Sequence, residues 1–169
     1  MNATEATLRH RLQEYLDHVA FDDVDTILGA CLTGSIAAGF VDEHSDIDLT
    51  IVMRGDGGDI DADAFSALII PESATVHRSE PLERYSFDWS DGHLDVDVVS
   101  LDDLRADAWD LTTRWEYANA EILVDTDQRL AARLEREVPF AKGERATIVR
   151  DHADEFLFAA QWDVHKACL

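Results

Sequence analysis

Two aspartates at the head of an apolar strand constrain this chain more than any other stretch: Asp46-Ile47-Asp48-Leu49-Thr50-Ile51-Val52. Side chains alternate along a strand. Asp46 and Asp48 therefore share a face, with carboxylates roughly 7 Å apart and able to converge on one point, while Ile47 and Leu49 turn to the core. A carboxylate in such a run is costly to desolvate unless it is paired or metal-bound. Composition sets the baseline this pattern must beat, because aspartate fills about one position in seven and roughly three or four Asp-x-Asp pairs arise by chance. There are six, and only Asp46/Asp48 and Asp95/Asp97 lie within aliphatic runs.

The first pair has a partner upstream. Ile27-Leu28-Gly29-Ala30-Cys31-Leu32 is a nearly continuous apolar run, the pattern of a central strand covered on both faces, and it ends in Gly34-Ser35. Gly34 allows the backbone to approach a phosphate, and the Ser35 hydroxyl with neighbouring N–H groups can donate to phosphate oxygens. Two hard carboxylate ligands beside such a turn suit Mg²⁺ carrying a triphosphate.

The remaining periodicities outline a mixed α+β (α/β) chain. Leu8, Leu12, Tyr15, Leu16 and Val19 follow one face of a first helix. Arg54 to Gly58 reads as a turn, 64–69 as a short helix stopped by Pro71, and 74–78 as a short strand. Residues 83–89 and 93–99 alternate on either side of Ser90-Asp91-Gly92, a hairpin that puts Asp95 and Asp97 on a common face. Asp102 or Asp103 is expected to open a helix carrying Leu104, Ala108, Leu111 and Trp115 to the core, with Trp109 and Tyr117 flanking. A strand over 121–125 and a helix through Leu130, Leu134 and Val138 follow, and 142–169 forms one long helical pattern.

The net charge is −22, from 36 acidic and 14 basic residues, of which only Lys142 and Lys166 are lysine. Such a field repels nucleic acid and anionic membranes and disfavours both as partners. A carboxylate-rich, lysine-poor surface spread along the whole chain reads as salt adaptation. Cys31 lies within an apolar strand and Cys168 near the C-terminus, so no disulfide framework is expected. No stretch reaches the roughly 20 apolar residues of a membrane span, and the polar start lacks a signal peptide's regions, so a cytoplasmic location is expected. His77, His93 and His152 show no metal-ligand spacing, Ser45 suits a local turn bond, and Arg54 is within possible reach of a phosphate.

Gly34-Ser35, ten residues, Asp46-x-Asp48 and a later aspartate on a hairpin strand together resemble the polymerase β-type nucleotidyltransferase superfamily, over roughly residues 8–138. The resemblance is to its small members, the minimal and aminoglycoside-type nucleotidyltransferases. It implies a mixed sheet flanked by helices over 1–138. Residues 139–169 would then be a C-terminal helical segment, packed on that domain or opening a helical region. It further implies transfer of a nucleoside monophosphate, AMP from ATP by preference over another NTP, to a hydroxyl of a small molecule or a protein, with pyrophosphate release. Mg²⁺ or Mn²⁺ would be held by Asp46, Asp48 and a third carboxylate, for which Asp97 matches the family's setting best and Asp95 is the rival. Gly34 and Ser35 would bind the nucleotide. The alternative is a degenerate, antitoxin-like member that binds nucleotide or a partner without turnover. Three converging carboxylates speak for the enzyme. The sequence leaves monomer and homodimer both open.

Overall fold

The computed structural model describes residues 3–19, 21, 25–54, 69, 75–79, 84–89, 92–140 and 143–144. The chain divides into two compact units, Met1–Val138 and Pro139–Leu169. The short helix expected over 64–69, apart from Ile69, and the long helical pattern over 142–169, apart from residues 143–144, lie outside the described residues. In the first unit the elements run α1 (Ala3–Val19), β1 (Ile27–Thr33), α2 (Gly34–Ala38), β2 (Ile47–Met53), β3 (Thr75–Ser79), β4 (Arg84–Trp89), β5 (Gly92–Ser100), α3 (Leu111–Ala118), β6 (Glu121–Asp125) and α4 (Arg129–Glu137).

Among the described residues the strands form one mixed sheet in the order β3-β4-β5-β2-β1-β6. The β2–β5 pair is parallel and the other four are antiparallel. The antiparallel β4–β5 pair follows from a short connection, whereas the antiparallel β1–β6 pair is joined through most of the domain and the parallel β2–β5 pair needs the long crossover that β3 and β4 supply. The expected hairpin is present, but Gly92 belongs to β5 and pairs with Trp89 instead of lying in the turn.

Alternation then divides the residues between two layers. Leu49, Ile51, Leu94, Val96, Tyr85 and Phe87 pack on one face against Leu8, Leu12, Tyr15 and Val19 of α1, in the spacing expected of that helix. Tyr15 and Phe87 meet at a ring-centroid distance of 5.8 Å, and the buried Tyr15 hydroxyl donates to the Ile69 carbonyl at 3.0 Å. Burial of each such side chain contributes about 1.5–3 kcal/mol. On the other face, Leu28, Cys31 and Val52 pack with Leu101, Leu104 and the α4 residues Leu130 and Leu134. β1 is buried along its whole length, as a doubly covered strand should be.

The region after β5 departs from the expected helix. Ser100 Oγ and Asp103 close a turn, residues 106–108 form a single 3₁₀ turn, and α3 begins at Leu111. Its N-cap is Asp110, which accepts from the Thr113 N–H at 2.8 Å. Leu104 still reaches the core, but through the turn, and Trp115 stands 47% exposed instead of buried. Trp109 and Tyr117 stack at 4.8 Å and flank the second layer. No helix among the described residues is long and apolar enough to cross a membrane.

Candidate functional site

The second sheet face is apolar where Leu28, Cys31 and Val52 meet α4, and polar over Asp48 and Thr50 of β2, Asp95 and Asp97 of β5, and Arg84 and Ser86 of β4. The polar part carries the candidate site. β2 begins at Ile47, so Asp46 is the last residue of the preceding loop and Asp48 the second residue of the strand. That loop is held by Asp42, whose Oδ1 accepts from the His44 N–H at 2.9 Å and from Ser45 Oγ at 3.1 Å, the local bond expected of Ser45. These bonds, the His44 N–H first, keep the Asp42 carboxyl below its ordinary pKa.

β1 ends beside the same spot. Thr33 pairs with Asp48 across the β1–β2 register. Gly34 then takes φ = +65°, a left-handed conformation that costs an L side chain roughly 1–2 kcal/mol. The Asp48 carboxylate also fills the space a side chain would need, since a Cβ at Gly34 would lie 2.8 Å from Asp48 Cγ. Glycine is required there for two independent reasons. The next side chain, Ser35, has its Oγ buried with no hydrogen-bond partner. A buried unpartnered hydroxyl costs about 1–3 kcal/mol and calls for an acceptor.

The parallel register sets Asp48 directly beside Asp95, and Thr50 beside Asp97. Neighbouring strands are about 4.8 Å apart, so Asp95 is the closer carboxylate to Asp48. Burial and then the charges of Asp46, Asp95 and Glu116 push the Asp48 carboxyl up to about 6, with Arg84 partly offsetting them. Asp95 accepts from Ser86 Oγ on β4 and lies 3.0 Å from His93 Nε2. His93 Nδ1 is 2.7 Å from Asp88. Burial opposes the imidazolium, but the two flanking carboxylates outweigh it and raise the His93 pKa. Asp97, the position that best matches the family's setting, is engaged differently. Arg84 of β4 donates to both its oxygens, Nε to Oδ1 at 2.6 Å and Nη2 to Oδ2 at 2.7 Å.

Arg54 is not directed at this face. It donates to Asp127 at 2.6 Å and to Thr126 at 2.7 Å, tying the end of β2 to the loop after β6. Cys31 is a free, buried thiol whose pKa burial raises to about 12. A cavity of about 650 Å³ opens beside Asp46, lined by Thr4, Thr7 and Leu8 of α1 together with Ser45 and His93.

Among the described residues, no three His, Cys, Asp or Glu side chains form a group ready to hold a metal ion. Asp95 is drawn toward Ser86 and His93, and Asp97 toward Arg84. The donor chemistry nevertheless fits a hard divalent cation: Asp46, Asp48 and Asp95 carry carboxylate oxygens, and burial, then the neighbouring acidic charges, disfavours ionisation of Asp48. Arg84, Ser86 and Glu116 were not identified from the sequence. The observed register, with Trp89 paired to Gly92, puts Arg84 opposite Asp97 and Ser86 opposite Asp95, whereas a turn over Ser90-Asp91-Gly92 as read from the sequence shifts that pairing by one residue. Compared with protein-family models and with curated proteins, the chain matches none.

Proposed function

We propose that the chain is a divalent-metal-dependent nucleotidyltransferase, and that Asp46, Asp48 and Asp95 hold the metal. One observation carries this reading: Asp48 is packed against the left-handed Gly34, and burial first, then the charges of Asp46 and Asp95, raise its pKa to about 6. Stability alone gives no reason to gather carboxylates against a glycine. Bound Mg²⁺ would neutralise this charge and polarise the transferring phosphoryl group.

The protein's own groups divide the remaining work. Gly34 brings the backbone close without a side chain, and the unpartnered Ser35 Oγ–H donates to a phosphate oxygen. An acceptor hydroxyl oxygen bonds to the α-phosphorus, the bond from that phosphorus to the pyrophosphate oxygen breaks, and the hydroxyl proton passes to a base. The cavity beside Asp46 offers room for the acceptor. The Gly-Ser-x10-Asp-x-Asp pattern supports the same class, with ATP as the preferred donor.

The test is Mg²⁺-dependent pyrophosphate release from ATP in molar KCl across a panel of hydroxylated small molecules and proteins. Wild type should exceed Asp48→Asn at least 100-fold. Equal rates with every acceptor overturn the enzyme, and binding of MgATP without turnover favours the non-catalytic alternative.

A further inference from the structure

We infer that Arg84 binds the triphosphate and that Asp97 positions Arg84 rather than ligating metal; this deepens the nucleotidyltransferase reading and rests on it. The β4–β5 register places the two residues opposite one another, and the guanidinium grips both carboxylate oxygens at 2.6 and 2.7 Å. That contact uses the Nε–H and one Nη2–H, leaving three of the five guanidinium N–H groups for another anion. The Arg84 side chain is 44% exposed, so it is open to a ligand from solvent. Its charge acts on Asp95 and Asp48 as well as on Asp97, and the strand registers put all four residues on one face of the sheet.

A triphosphate approaching a chain of net charge −22 meets repulsion that only a local cation can relieve. Arg54 is bound to Asp127 and Arg9 to Glu5 and Glu121, each serving to join elements elsewhere. A guanidinium whose plane is already fixed loses little freedom on accepting a phosphate, and its planar fork suits phosphate oxygens. Asp97 supplies that fixing. Its carboxylate oxygens are thereby occupied, while Asp95 sits in register with Asp48.

The experiment measures binding of ATP and of inorganic tripolyphosphate by calorimetry with Mg²⁺ in molar KCl, and binding of Mn²⁺ alone by electron paramagnetic resonance. Arg84→Gln should weaken both phosphate ligands at least tenfold and leave Mn²⁺ binding unchanged. Asp97→Asn should weaken the phosphates several-fold and also leave Mn²⁺ unchanged, whereas Asp48→Asn and Asp95→Asn should lose Mn²⁺. If either single variant fails to fold, Arg84→Gln/Asp97→Asn removes both charges together and should show the same loss of phosphate affinity. Wild-type affinity for both phosphates in the Arg84 variants, or loss of Mn²⁺ in Asp97→Asn, overturns the inference while leaving the nucleotidyltransferase reading standing. A wild-type protein that binds neither phosphate in Mg²⁺ overturns both.

Discussion

Asp48→Asn should make the metal-free protein more stable at neutral pH. In the fold the Asp48 carboxyl is pushed from its ordinary 3.8 up to about 6, first by burial and then by its acidic neighbours. The folded state therefore binds the proton more tightly than the unfolded chain does, and stability falls as pH rises through that interval. At about 1.4 kcal/mol per pH unit the full effect is about 3 kcal/mol. Asp48 is only half-buried, and screening by water and salt leaves about 1–2 kcal/mol of it. Asparagine keeps the shape and removes the charge. Urea denaturation in EDTA should place the variant about 1–2 kcal/mol above wild type at pH 8, with the gap opening between pH 4 and 6 and closing toward pH 4. The melting temperature should rise by about 2–8 °C. Mg²⁺ should stabilise wild type and not the variant. A variant no more stable than wild type at pH 8, or a gap independent of pH, would refute the convergence of charge on Asp48.

Gly34→Ala should cost about 2 kcal/mol or more in urea denaturation, from the left-handed backbone and the displaced Asp48 carboxylate together. Adding Asp48→Ala should recover the steric part and leave the backbone part. Cys31, buried with its pKa raised to about 12, should resist thiol reagents in the folded protein and react once denaturant is added, read by mass spectrometry of its peptide. The net charge of −22 should make the melting temperature rise by several degrees between dilute buffer and molar KCl, and an unchanged value would remove the salt-adapted reading.

Patterns of period two and 3.6 made most elements legible in the sequence. The α1 stripe, the buried run of β1 and the existence of the β4–β5 hairpin each follow from local spacing and turn chemistry. Capping signals were less informative, because in an aspartate-rich chain nearly every helix start has a candidate cap. Asp102 and Asp103 look as suitable as Asp110, and only the Ser100–Asp103 turn and the Asp110–Thr113 bond distinguish them. The candidate site was legible up to Gly34, Ser35, Asp46 and Asp48. Asp95 and Asp97 have the same parity on one strand, so alternation puts them on one face and cannot order them. Their order depends on the register between β2 and β5, which is a property of the assembled sheet.

The parallel pairing of β2 with β5 also determines when the site comes into being. An antiparallel arrangement would send the carboxylate-bearing starts of the two strands to opposite ends of the sheet. Parallel alignment brings them to the same end, but Asp48 and Asp95 are then joined only through the whole crossover that carries β3 and β4. Such non-local pairs are slow to form, since the loop must close before any contact repays it. The charge cluster therefore forms only once that crossover has closed, and its repulsion opposes the closing step itself. A cation present during folding would act on that step, favouring the state in which the two strands are already joined.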